Sequence, residues 1–245
     1  MYAGAMKDKH SASRLTMENV SHSYGTVPVL HKFNLSVNPG EVVVLVGPSG
    51  CGKTTILNVL SGYIKPTEGK VTREGIIRTV YQQDGLFPWL TVSENISLGL
   101  RDLKDESVRK NEMQDLVELI HLEGFENHYP HQLSGGMRQR VELARVLAGD
   151  SDILLMDEPF SALDYQTRLR MRRELVRLLE KRPRTVVFVT HDIEEAAQLA
   201  DRVFVLTNRP ASVSRILEIN TERPRGLSDN DVIQTMKEIL TEFGL

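Results

Sequence analysis

The chain has 245 residues, enough for one large domain or for a core with an inserted lobe. It is 40% hydrophobic and 26% charged, ordinary for a globular protein, and its formal net charge of -3 lacks the basic surplus of a general nucleic-acid binder. The single cysteine, Cys51, excludes an intrachain disulfide, and no apolar run is long enough to cross a bilayer.

Residues 1–13 are polar and mixed, with no apolar signal-peptide centre, so they are expected to form a disordered extension of a cytoplasmic protein. Short β-branched apolar runs follow at residues 42–46, 76–80, 153–156, 186–189 and 203–206. They are nearly continuous, the pattern of strands buried on both faces in a parallel sheet. Residues 30–37 alternate better and predict an antiparallel strand with one exposed face.

Helical spacing lies between these runs. Lys53 to Gly62 reads as a helix, and Met137, Val141, Ala144 and Ala148 fall on one helical face that Gly149 is expected to cap. Near the end, Val232, Ile233, Met236, Ile239, Leu240 and Phe243 form another stripe, with Ser228 expected as its cap. No buried strand is evident across residues 84–150. The pattern predicts an α/β core from residues 14–83 and 151–245, interrupted by a helical lobe at 84–150.

Gly47, Pro48, Ser49, Gly50, Cys51, Gly52, Lys53 and Thr54 match G-x-x-x-x-G-K-[ST] at every specified position, between a strand and a helix. The glycines let successive N–H groups turn inward on phosphate oxygens, and the helix N-terminus adds its positive end. Lys53 would neutralise β- and γ-phosphate charge, and the Thr54 hydroxyl would ligate Mg²⁺. Thr55 completes the ATP-contacting set, and Cys51 reads as a small side chain that fits. The run at 153–156 ends in Asp157 and Glu158 at a carboxyl edge, where such sheets bind ligands. Asp157 would hold Mg²⁺ and Glu158 would orient the attacking water.

Leu133-Ser134-Gly135-Gly136-Met137-Arg138-Gln139-Arg140 resembles the signature motif of ATP-binding-cassette (ABC) ATPases. It is a second backbone nest at a helix start. The resemblance extends in order along nearly the whole chain. It implies that Tyr24 stacks on adenine, that Gln82 reaches Mg²⁺ and the attacking water, that Asp164 lies in a loop crossing between subunits, and that His191 contacts the γ-phosphate. It also implies a P-loop fold with a mostly parallel sheet, an antiparallel β region near the N-terminus and an inserted helical subdomain.

By the same resemblance, two copies enclose two ATP molecules, with Ser134, Gly135 and Gly136 of each closing over the nucleotide of the other. The partners expected are a second copy, integral membrane permease subunits and, indirectly, an external solute-binding protein, at the cytoplasmic face of the membrane. The segment Leu86-Phe87-Pro88-Trp89-Leu90, the turn Asn208-Arg209-Pro210 and the short tail resemble the nitrate, sulfonate and taurine importer group. Leu86 to Leu90 reads equally as core or as the surface that receives the permease. The alternative class, a soluble cassette ATPase acting on nucleic acid or ribosomes, lacks its usual marks here, a long coiled coil or a second cassette. The basic run Arg168, Arg170, Arg172, Arg173 and Arg177 is expected to be a solvated helix face, and the other histidines form no metal-ligand pattern.

Overall fold

A computed structural model describes residues 14–81 and 85–245. Residues 1–13, and Gln82 with its two successors, lie outside this description. In chain order the strands are β1 (Arg14–Tyr24), β2 (Val27–Val37), β3 (Val42–Val46), β4 (Glu68–Glu74), β5 (Ile77–Val80), β6 (Ile153–Asp157), β7 (Thr185–Thr190), β8 (Arg202–Leu206) and β9 (Val213–Glu218). The helices are α1 (Lys53–Ser61), α2 (Val92–Ser97), α3 (Glu106–Leu119), α4 (Gly135–Leu147), α5 (Tyr165–Lys181), α6 (Ile193–Leu199) and α7 (Asn230–Glu242). From α2 to α4 every regular element described is helical.

Two sheets result. The larger has the order β5-β6-β7-β3-β8-β9 and is parallel except for β9, which pairs antiparallel with β8. The smaller is antiparallel, β2-β1-β4. The continuous apolar runs have a direct cause. Val42, Val44 and Val46 join Met156, Phe188 and Val205 in one core under α4, α5 and α6. Val43 and Leu45 join Leu155, Val189 and Phe204 in a second core against α1 and the small sheet. Both faces of each central strand are dry, so polar positions have no place in them.

Three strands were not foreseen. β1 begins before the apolar pattern was read, β4 is mostly exposed, and β9 extends the large sheet beyond residue 206. Two caps also differ from expectation. Gly149 does not end α4, whose C-cap is Ala148. Instead, Arg184 Nη1 and Nη2 donate to the Leu147 and Gly149 carbonyls at 3.2 and 3.0 Å, and the Arg78 guanidinium lies across Gly149 where a Cβ would stand. Burial pulls Arg184 down to about 10. Ser228 is not the cap of α7; Asp229 occupies that position.

Candidate functional site

The P-loop bridges β3 and α1. Gly50 (φ 74°) and Gly52 (φ 124°) occupy backbone conformations that favour glycine. Gly47 is needed for space, because a Cβ there would lie 2.9 Å from Leu206 Cβ. No side chain caps α1, whose N-cap is Gly52, so its first N–H groups remain available to an anion. Lys53 is buried and curls over the loop, its Nζ donating to the Gly47 and Pro48 carbonyls at 2.7 and 3.0 Å. Cys51 is buried beneath, and burial raises its thiol pKa, which favours the unreactive thiol form.

The ends of the neighbouring strands supply the acids. Asp157 closes β6 and is 2% exposed; burial pushes its carboxyl upward, while a hydrogen bond from the Thr54 hydroxyl opposes the rise. Glu158 follows with φ 48°, a left-handed conformation unusual for glutamate, fixed by its N–H bond to the Val189 carbonyl at 2.9 Å. Its carboxylate lies 3.1 Å from Nδ1 of His191, which follows β7 and is largely exposed. Phosphate loop, Asp157, Glu158 and His191 thus gather at the carboxyl ends of β3, β6 and β7.

His191 sits between two anchored neighbours. The Thr190 hydroxyl donates to Glu195 Oε2 at 2.6 Å. Asp192 caps α6 through the Glu194 and Glu195 N–H groups, and it pairs with Arg168 at 2.9 Å and Arg172 at 2.7 Å. Arg172 is 3% exposed and also meets Glu195, so the basic run is not a wholly solvated face. A buried guanidinium is retained there because carboxylates from α6 neutralise it. Tyr24 lies at the end of β1 with its ring half exposed. Val29 and Leu30, on the next strand, press against the position of a Gly52 Cβ, which brings this hairpin beside the P-loop.

Ser134 starts α4 as its N-cap, its hydroxyl accepting from Met137 N at 3.3 Å. The Gly135 and Gly136 N–H groups are first-turn donors without an intrahelical acceptor. Among the described residues no hydrogen bond joins residues 134–136 to the P-loop; Gly136 packs instead on the Ala162 carbonyl and Leu163. Gln139 makes this junction: its Nε2 donates to the Glu158 carbonyl at 3.0 Å, and its Oε1 accepts from Ala162 N at 2.9 Å. One buried amide therefore ties α4 to the turn carrying Glu158. Gln139 was legible only as one letter of a motif. Asp164 caps α5, accepting from Thr167 N at 3.0 Å.

Gln82 lies outside the described residues, but its flanks are held. Glu142, 1% exposed on α4, accepts from Tyr81 N at 3.4 Å and Gly85 N at 3.2 Å. The following loop wraps Asn95, whose side chain bonds Phe87 N and the carbonyls of Phe87, Leu90 and Thr91. Leu86 is buried, whereas Phe87 (40%) and Trp89 (68%) project outward with ring centroids 5.4 Å apart. This segment is therefore part core and part exposed aromatic patch. Glu142 carries no local signal in the sequence, since it acts on backbone groups about sixty residues away, whereas Asn95 gathers the loop just before its own helix.

The family model described as ABC transporter matches residues 30–161, spanning the P-loop, the signature segment and the paired acids. The chain belongs to the ABC transporter family. It is an ATP-binding subunit and an ATPase. An uncharacterised ABC transporter ATP-binding protein of Methanocaldococcus jannaschii is 44% identical, covering 93% of this chain and 90% of its own. Aliphatic sulfonates import ATP-binding proteins of Bacillus anthracis and Pseudomonas syringae pv. tomato are 40% and 43% identical, covering 89% and 88% of this chain and 90% and 91% of theirs. The dimeric post-hydrolysis structure of the ATP-binding cassette MJ0796 with ADP and Pi is 33% identical, with a TM-score of 0.76 over 85% of this chain and all of that one. Within the described residues of this ABC ATPase, no helix is long and apolar enough to cross a membrane.

Proposed function

We propose that this ABC subunit powers import of a small organic or inorganic anion, such as a sulfonate, taurine or nitrate, through separate permease subunits at the cytoplasmic face of the membrane. Support for the substrate class comes from the aliphatic sulfonate import relatives. The observation that carries the catalytic reading is the 3.1 Å contact between Glu158 and His191, beside a buried Asp157 bonded to Thr54. Asp157, Glu158 and His191 stand at the ends of the adjacent strands β6 and β7, facing Thr54 at the start of α1.

In this reading the N–H groups of residues 47–55 and the Lys53 ammonium hold the ATP phosphates, and Tyr24 stacks on the base. Thr54 and Asp157 are hard oxygen donors, one hydroxyl and one carboxylate, and with phosphate oxygens they suit Mg²⁺, which when bound would offset phosphate charge. Gln82 belongs to the same set by its place in the chain. Glu158 orients and polarises the water that attacks the γ-phosphorus in line, while His191 bridges Glu158 and the γ-phosphate. Ser134, Gly135, Gly136 and Asp164 act from a second copy, so hydrolysis belongs to the pair. The helical lobe at 84–150 carries Ser134, Gly135 and Gly136 at the start of α4 and also the exposed Phe87–Trp89 patch, a surface suited to a permease helix.

Glu158→Gln tests the assignment directly. It removes the negative charge at nearly constant shape, so ATP binding persists and turnover falls by roughly 10²–10⁴. Wild-type turnover in that variant would remove Glu158 from its role. For transport, uptake of a radiolabelled aliphatic sulfonate into vesicles holding the permease should require this subunit and ATP; uptake independent of it would overturn the substrate class.

A further inference from the structure

The end of β1 carries two rings. Leu15, Met17 and Val20 line the inner face of this strand, with the register shifting between Glu18 and Ser21. His22 and Tyr24 continue it at alternate positions. His22 is 8% exposed, and neither of its ring nitrogens has a hydrogen-bond partner. Its ring meets that of Tyr24 at a centroid distance of 4.8 Å and an interplanar angle of 85°, an edge-to-face contact. Across the ladder His22 pairs with Leu30, whose Cδ2 lies 3.3 Å from where a Gly52 Cβ would stand. Only one residue therefore separates the ring pair from the P-loop.

This arrangement is unfavourable as packing alone. Burying an imidazole with both nitrogens unpaired forfeits its hydrogen bonds to water, a cost that a phenylalanine of similar shape would not carry. Nothing else in the catalytic reading uses His22. What the ring does provide is a wall for Tyr24, whose own side chain is half exposed and would otherwise sample several rotamers. A platform held in one orientation loses less freedom when a base stacks on it.

We propose that His22 is a positioning residue that holds the Tyr24 ring ready to stack on the nucleobase of ATP. The proposal rests on the reading of Tyr24 as the adenine platform. It requires that His22 act on the base alone and not on the phosphates.

The experiment compares the affinity of the full chain for ATP and for inorganic tripolyphosphate, which has no base, across His22→Ala, His22→Leu, His22→Phe and Tyr24→Ala. ATP affinity should fall about 2- to 10-fold in His22→Ala, the range of one aromatic pair, with tripolyphosphate affinity unchanged. His22→Phe restores an edge-to-face ring and should bind ATP as the parent does. His22→Ala added to Tyr24→Ala should bring no further loss. His22→Leu keeps the core filled, so it carries the comparison if the alanine variant folds poorly. Equal losses for ATP and tripolyphosphate would make His22 a strand-packing residue and overturn the proposal. Unchanged ATP affinity in His22→Ala and His22→Leu, which lack a ring, while Tyr24→Ala still weakens it, would overturn it too. An unchanged ATP affinity in Tyr24→Ala would instead overturn the platform reading, and the proposal with it.

Discussion

The two glycine-lined helix starts of this chain differ in how far they are completed from within. At α1, the Lys53 ammonium is held by loop carbonyls, Thr54 is bonded to Asp157, and Glu158 meets His191. At α4, Ser134 is exposed and satisfies only its own helix, and no hydrogen bond from residues 134–136 reaches the P-loop among the described residues. One nest is finished by its own chain. The other is built and presented outward. Both have the same local chemistry, first-turn N–H groups behind glycine, so the difference lies in what the fold places opposite them. In the proposed reading a complete site needs the second nest of another copy; the ATP-binding cassette MJ0796, whose fold this chain shares, is dimeric.

The largest expected effect that sharpens this contrast is Ser134→Arg. A bulky cation at the presented nest should abolish steady-state hydrolysis, by about 10²-fold or more, comparable to removing a positioned donor at an anion site. Nucleotide affinity of the lone chain, measured by equilibrium titration, should be unaltered. A fall in affinity would mean that both nests serve one bound ATP in the same chain. Gln139→Ala ranks next. It removes the partner of the Ala162 N–H, while the Glu158 carbonyl keeps the Ser161 N–H and hydroxyl at 3.1 and 3.0 Å, so the stability loss should be only about 1 kcal/mol, and turnover should fall with Glu158 misplaced while KM for ATP changes little. Loss of ATP binding with unchanged turnover would break the claim that this amide couples α4 to the acid.

Legibility in the sequence follows what each residue depends on. β3, β6, β7 and β8 were readable because both their faces are buried, which forces apolar runs onto the chain. The P-loop was readable because phosphate cradling demands glycines at fixed spacing. β4 escaped notice because its residues are mostly exposed, so its pairing with β1 leaves no apolar run in the sequence. β9 was hidden for the same reason, as an edge strand with mostly exposed side chains. Gly149 reads as a helix stop from local rules, yet Arg78 and Arg184, distant in sequence, decide its role. Arg172 looked solvent-facing until α6 placed Asp192 and Glu195 against it. Local periodicity carries no record of such partners.

The smallest effect concerns stability. Burial holds the Asp157 pKa above the ordinary carboxylate range, so the fold favours its protonated form. That contribution is present below the usual carboxylate pKa and is lost as pH rises through the raised value. In the nucleotide-free chain Asp157→Asn should therefore melt higher at neutral pH, by roughly 2–4 °C, and this gain should vanish in acid. Melting curves from pH 4 to pH 8 read this out; a variant less stable at neutral pH would show that the carboxylate is stabilised where it stands.

The division between a completed and a presented nest is tested most directly by mixing two inactive chains. Lys53→Ala lacks the phosphate cradle and Ser134→Arg lacks the presented nest, and each alone should hydrolyse no ATP. If the nests work across copies, a mixed pair joins the intact P-loop of the Ser134→Arg chain to the intact Ser134 of the Lys53→Ala chain, and ATPase activity should return on mixing. A mixture that stays as inactive as its components would contradict the account.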